Sequence, residues 1–426
     1  MIKNKKILLI ILLAVAIPSY AGMGHFYQAH FLPDIYNTDT CDWHTKLRAY
    51  FLHGSTTQGR DAQGDCTSIL DIRGPQNWLE ALQGVPAEAS IESLRNTADS
   101  LVAAVQAGGA APNFGKLSFD GTFTSNTLML FLRQNLTFGL FATLLLPVRD
   151  LTIDAISFTD LSPDTGTFSK ENSDWIILKD NIDRILNAYG INSYQNPFKK
   201  TVPGDLVGMI GWQRVFKEIP GAVIDLFSIN LKVGFSFPTG STLDPSEPFA
   251  LQGGHLKHVG LVGTANLLIG FASYLELGLE VNGMKFIDKT VTRRMKTAVD
   301  QSGFIELASG KAYEKLGDRY GITPYTVFHP PFMSNLSMLV AYSYQRHTKK
   351  ELCPKNTIVF DSAIVNAMNT EFTWSLIHLK LNYMLNYFPC IKPNIGLLVD
   401  IPVGGKHIFN TTMAGGAIGL NLNWSF

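Results

Sequence analysis

The sequence predicts an all-β protein: a transmembrane, antiparallel, up-and-down β-barrel of about twelve strands, with helical segments in its long connections. Three observations predict it. The chain begins with an export signal, its middle alternates apolar and polar residues with period two, and it ends on an aromatic residue closing such a strand.

The N-terminus carries Lys3, Lys5 and Lys6, followed by an unbroken apolar run from Ile7 to Ile17. A membrane-spanning helix needs about 20 apolar residues, so this run is too short. Ser19-Tyr20-Ala21 supplies small residues at the two positions a signal peptidase reads. Residues 1–21 are therefore expected to be a signal peptide, with Gly22 as the mature start and the bacterial outer membrane as the destination. A short membrane anchor is the competing reading, disfavoured by the same length rule.

Composition narrows the class. The chain has 426 residues, a formal net charge of zero and only 16% charged residues. That balance points away from a nucleic-acid partner. No second apolar run approaches the length of a spanning helix, which excludes a helical membrane protein.

The strand signal is repeated. Phe227, Ile229, Leu231, Val233, Phe235 and Phe237 alternate with Ser228, Asn230, Lys232, Gly234 and Ser236. Leu275, Leu277, Leu279 and Val281 alternate with Glu276, Gly278 and Glu280, and Ile377 to Leu385 alternate with His378, Lys380 and Asn382. A soluble sandwich also alternates. Length separates the two readings, because a tilted bilayer span needs about 9–11 residues. Composition separates them too, since the polar faces mix Gly, Asn, Ser and single charges, as a hydrated lumen requires.

Strands are expected near 44–52, 115–132, 136–160, 203–215, 223–237, 256–270, 272–295, 334–346, 356–367, 371–386, 391–402 and 414–426. The segments 44–52 and 356–367 carry the weakest alternation and leave counts of ten or fourteen open. In this layout short turns, among them 346–355 and 387–390, fall on the periplasmic side. Long connections at 53–114, 161–202, 238–255 and 296–333 face outward, the asymmetry of bacterial barrels. The domain division is a signal peptide (1–21), an N-terminal segment with the first strand and a helical loop or plug (22–114), and the barrel (115–426).

Two long connections carry helix signals. Ser173 is placed to cap a stripe of Trp175, Leu178, Ile182, Ile185 and Tyr189, ended by Gly190. Ile91, Leu94, Ala98, Leu101 and Val105 form a second stripe, ended by Gly108 and Gly109. Each stripe needs an apolar cover: the barrel mouth, the lumen or neighbouring loops.

The candidate functional residues follow from the polar face. Asn230, Lys232, Glu276, Glu280, Lys380, Asn382, Asp400 and Asn421 are expected to line a pore of mixed sign and weak ion selectivity. Leu420, Leu422, Trp424 and Phe426 form the apolar face of the last strand and fit an assembly signal, because that strand must pair to close the barrel. The barrel assembly machinery, outer-membrane lipid and small solutes are the expected partners. Cys41, Cys66, Cys353 and Cys390 enter an oxidising compartment that permits disulfides. The layout puts Cys353 and Cys390 in turns on one side. It allows Cys41 to reach Cys66 only if 44–52 is not a full span. No cysteine or histidine spacing fits a metal site, and no phosphate loop or Gly-x-Ser-x-Gly occurs, so no cofactor and no enzyme is expected. His255 and His258 near Asp244 and Glu247 lack a recognisable catalytic spacing.

Gly204-Asp205-Leu206, opening one strand, and Phe235-Ser236-Phe237-Pro238-Thr239-Gly240, closing the next, carry a family likeness that continues through 256–282. In these residues the chain resembles the outer-membrane transporter family linked to the meta-pathway of phenol degradation. The resemblance implies passive uptake of small, often hydrophobic compounds. It covers about half of the mature chain, and the helix-bearing connections 53–114 and 161–202 depart from it. A channel is thus the first expectation, and a non-conducting structural or surface-interaction barrel the second.

Overall fold

A computed structural model of the chain describes residues 43–108, 113–217, 223–271, 274–367, 369, 371–385 and 390–423. The signal peptide, Cys41, Trp424 and Phe426 lie outside the described residues.

Twelve strands form a closed antiparallel ring. They are β1 (His44–Thr56), β2 (Lys116–Asn135), β3 (Leu140–Asp160), β4 (Leu206–Lys217), β5 (Ile224–Phe237) and β6 (Gly260–Phe271). β7 (Leu275–Phe286), β8 (Arg319–Phe328), β9 (Leu336–His347), β10 (Phe372–Met384), β11 (Ile391–Lys406) and β12 (Met413–Asn423) complete it. Each strand pairs with its neighbours in sequence, and the ring closes where β12 pairs with β1, with Leu47 opposite Leu420. Closure pairs each of these strands along both edges and leaves no open edge, as a bilayer demands.

The alternation sorts residues as the sequence predicts. Val233 is 59% exposed and Ile418 66% on the outer wall, while Lys232, pointing inward, is 8% exposed. At one end the connections are short. The β2–β3 turn holds Phe138 and Gly139 at φ of 59° and 77°. A side chain on Gly139 would strike the Gln213 carbonyl, so glycine suits both the backbone and the space. At the other end the connections are long and structured.

One predicted strand is lost and one strand outside the predicted set appears. Residues 356–367 form no strand; Asp361 caps a short helix, Ser362–Asn366, by accepting from the Ala363 amide. In their place β8 joins the ring. Pro324 and Gly321 mask β8 in the sequence. Pro324 lacks an N–H, and the ladder to β9 lapses between Ile322 and Tyr325 without shifting register. One strand lost and one gained leave the count at twelve, but the side of the membrane changes for everything between them. Residues 348–371 are an outer connection, not a periplasmic turn. Cys353 and Cys390 therefore sit at opposite ends of the barrel, and the layout that put both in turns on one side is corrected. Cys66, Cys353 and Cys390 are free thiols in the structure. β1 is a full span, which puts Cys66 at its outer end.

The outer connections build a cap. Helices α1 (Glu92–Gly108), α2 (Ser173–Asp180) and α3 (Ile182–Ala188) share one apolar cluster with the upper inner faces of β2 and β3. Ile91, Leu94, Ala98 and Leu101 from the first stripe meet Trp175, Leu178, Ile182 and Ile185 from the second there. The second stripe is two helices broken at Asn181. Its N-cap is Asn172, whose side chain accepts from the amides of Asp174 and Trp175, so the expected Ser173 cap moves by one residue.

Candidate functional site: the barrel lumen and its capped mouth

Period two places all eight predicted lining residues on the inner wall. Asn230, Lys232, Glu276, Glu280, Asp400 and Asn421 are buried there, and Lys380 and Asn382 are half-buried. They do not form one cluster. They spread over β5, β7, β10, β11 and β12 and join different networks.

One network crosses four strands. His378 Nδ1 lies 2.6 Å from Asp400 Oδ1, His378 Nε2 lies 3.0 Å from Ser343 Oγ, and Ser343 Oγ lies 2.8 Å from Thr323 Oγ1. A second surrounds Tyr50, whose hydroxyl accepts from Arg48 at 3.2 Å and from Lys380 at 3.5 Å. A third centres on Arg133. It donates to Asn135 Oδ1 at 2.8 Å and Gln213 Oε1 at 2.6 Å, with its guanidinium 3.6 Å from the Phe141 ring centroid. Tyr325 donates to Asn266 Oδ1 at 2.9 Å, and His329 approaches Glu276 at 3.5 Å. Hydrogen-bond networks of this kind stiffen a polar wall, since an unmet buried group is costly.

Sequence reasoning missed Arg48, Arg133, His378, Arg319 and Thr323. Arg133 falls just beyond the expected strand 115–132, and Arg319 and Thr323 belong to the strand β8, which the sequence hides. Their signal was available for β1 and β2, because Arg48 and Arg133 sit on inner-face positions of the alternation. With them the inner wall is no longer balanced. Lys46, Arg48, Arg133, Arg149, Lys232, Arg319 and Lys380 outnumber Glu276, Glu280 and Asp400 there.

Above this wall the outer connections turn inward. Leu256 is fully buried against Phe286 and Leu316, and Ile408 packs on Phe372, Trp374 and Leu376. Arg149 donates to the Gly253 carbonyl at 2.9 Å, and His407 Nδ1 lies 2.8 Å from the Ile72 carbonyl. Asp205 bonds His255 at 2.7 Å and accepts from the Gly240 amide at 2.8 Å. Burial alone would raise the Asp205 carboxyl; His255 and that amide outweigh it and hold the group below its ordinary value. A column of rings follows the rim. His255 to Phe286 is 4.8 Å, Phe286 to His347 6.0 Å, His347 to Phe372 4.6 Å and Phe372 to Trp374 5.6 Å. Arg319 closes the column 5.1 Å over Trp374. Such stacks contribute about 0.5–1.5 kcal/mol per pair beyond area burial.

A buried charge cluster ties the cap together. Glu314 meets His258 at 3.0 Å, Arg293 at 3.1 Å and Lys350 at 2.9 Å. Burial opposes ionisation of Glu314, but Lys350, His258 and Arg293 overcome it and hold the carboxyl well below the usual range. His258 is thus a structural partner of Glu314, and His255 pairs with Asp205 and not with Asp244 or Glu247. Among the described residues no group of histidine, cysteine and acidic side chains could hold a metal ion.

No protein-family profile matches the chain, and no curated protein matches it. Several solved structures share the barrel architecture. An outer membrane channel from Pseudomonas putida F1 aligns over 92% of this chain and 98% of its own, at 10% identity and a TM-score of 0.47. The toluene transporter TbuX of Ralstonia pickettii aligns over 90% of each chain, at 7% identity and a TM-score of 0.31. The translocator domain of the autotransporter NalP from Neisseria meningitidis aligns over 90% of this chain and 88% of its own, at 8% identity and a TM-score of 0.32. Values this low transfer neither a residue role nor a solute.

Proposed function

We propose that the protein is an outer-membrane channel for passive uptake of small solutes, entered from the outside through the cap. The observation that supports it is the closed ring of twelve strands with an apolar outer wall and a charged, hydrogen-bonded inner wall. A ring of this size is wide enough to hold water or a plug. Residues 1–21 would be removed on export, and the barrel assembly machinery would read the last strand. Leu420 and Leu422 stand on its outer face, opposite Leu47 and Thr45 of β1. The sequence resemblance to transporters linked to phenol degradation adds small hydrophobic compounds to the solutes this reading covers. The excess of inner-wall cations adds a preference for anions over cations. Catalysis has no place in this reading.

The filled mouth favours a second reading, a non-conducting barrel used through its outer surface. Single-channel recording in planar bilayers separates the two. The channel reading expects discrete conductance steps and an anion-favouring reversal potential in a salt gradient. A preparation that inserts, keeps its heat-modifiable mobility and never conducts would leave the second reading in its place.

A further inference from the structure

The fold sorts the four cysteines by membrane side. Cys66 lies beyond the outer end of β1, and Cys353 lies in the outer connection between β9 and β10. Cys390 is exposed at the periplasmic end, immediately before β11. Cys41 precedes His44, the first residue of β1, by three positions. β1 enters the ring from the periplasmic side, so Cys41 belongs to that side. β1 has 13 residues, about 40 Å at the rise of a strand, and that length separates the two ends. Neither Cys66 nor Cys353 can reach Cys41 or Cys390 across it, because bridged Cα atoms stand about 4.4–6.8 Å apart.

The ladder brings the two periplasmic positions together. The Asn423 amide donates to the Cys390 carbonyl at 2.9 Å, and Asn423 stands opposite His44 where β12 pairs with β1. Cys390 and His44 thus flank the end of the last strand, two strand spacings or about 10 Å apart. The three residue steps from His44 back to Cys41 reach at most about 10 Å. Trp43, the first of them, has a φ of 57°, so the chain turns there instead of extending the line of β1. Cys41 is therefore tethered within bridging reach of Cys390. The other two cysteines of the chain lie on the far side.

From this sorting and this register we infer that Cys41 and Cys390 form a disulfide that staples the seam where β12 closes on β1. The periplasm is an oxidising compartment. A protein disulfide of that compartment is the oxidant. The two cysteine thiols lose two protons and two electrons, and the oxidant's own disulfide takes them up and becomes a dithiol. The exposed Cys390 Sγ is open to the mixed-disulfide intermediate through which such an exchange passes. The bond ties the chain ahead of β1 to the β10–β11 turn, across the terminal strand on which ring closure rests. The inference stands apart from conduction, because a non-conducting barrel would carry the same bond.

Peptide mass mapping tests it, on the full-length protein extracted from outer membranes with free thiols alkylated at the first step. A peptide containing Cys41 joined to one containing Cys390 is expected before reduction, with Cys66 and Cys353 joined to neither. Urea unfolding followed by cold-gel mobility reads the staple. Reductant should lower the midpoint of the parent protein and leave that of Cys390→Ser, already lowered, where it is. The inference is overturned if Cys41 and Cys390 are both alkylated before reduction, or if either is joined to Cys66 or Cys353. It is overturned equally if reductant leaves the parent midpoint unmoved or shifts the parent and Cys390→Ser alike.

Discussion

β2 and β3 run through two regions of the molecule, and their polarity reverses between them. In the lower region the outer face is Leu128, Leu130 and Leu132 on β2, with Leu144 and Leu146 on β3, while Thr127, Arg133 and Thr143 point inward. In the upper region Leu117, Phe119, Phe123, Leu151 and Ile153 point inward into the cap core. There Ser118, Asp120, Thr122, Thr124 and Thr152 face out. The switch falls at Asn126 and Asp150, which oppose each other on the outer face. Below that pair the outward side chains are apolar, as lipid requires, and the inner wall mixes polar groups with a small buried cluster that includes Met129 and Phe131; above it the outward side chains are polar and the inner ones join the dry cap core. The same pleat thus serves two solvents. Which face is apolar reports height relative to the bilayer, not the kind of sheet.

The largest effect should come from the cap core. Phe119→Ala or Trp175→Ala removes a buried ring and should cost the cap about 3–5 kcal/mol. Limited proteolysis of residues 57–115 and 161–205 would read the loss, while heat-modifiable mobility reports the barrel separately. If barrel and cap melt together, the two regions are one cooperative unit and the comparison fails.

The next effect locates the boundary. Leu279→Arg or Leu231→Arg, on the lipid face, should destabilise by about 2–4 kcal/mol near the midplane. Thr122→Arg, on the outer face above Asn126, should stay within about 0.5 kcal/mol of the parent, as exposed surface changes usually do. Reversible unfolding in urea with lipid vesicles gives both numbers. Equal costs at positions 279 and 122 would place the bilayer higher than Asn126.

A pH effect should be confined to the cap. The Glu314 carboxyl is held well below its ordinary value, so its stabilising contribution is complete above the unfolded carboxylate range, about pH 4.3. It is lost only as pH falls below that, toward the depressed folded value. Protease sensitivity of the cap should therefore be flat from neutral to about pH 5 and rise in stronger acid. In Glu314→Gln the cap should be weaker at neutral pH, and the part of the acid rise due to this group should vanish.

The smallest effect on stability is expected inside the lower region. Lys232→Ala and Glu280→Ala each remove one member of a polar wall and should cost about 1 kcal/mol or less. Their readout is electrical. Lys232→Ala should reduce the anion preference and Glu280→Ala should increase it, in reversal potentials across a salt gradient. Shifts of the same sign would break the assignment of that wall as the selectivity surface.

The sequence by itself determined which side is apolar in the spanning strands whose alternation is regular, because side-chain alternation is a property of the local backbone. Leu231 against Lys232 and Leu279 against Glu280 needed no tertiary information, and the two helical stripes were legible for the same reason. Ring closure was legible in part, through the alternating last strand. Three things were decided only by the folded chain. β8 was hidden because Pro324 and Gly321 weaken the local strand signal. The ladders to β7 and β9 supply what the residues alone do not. The side of the membrane for residues 348–371, and with it the separation of Cys353 from Cys390, follows from that one strand. The cap is the third. An inward Phe119 and an outward Leu130 obey the same alternation, and only their height above or within the bilayer says which one meets a dry core and which one meets lipid.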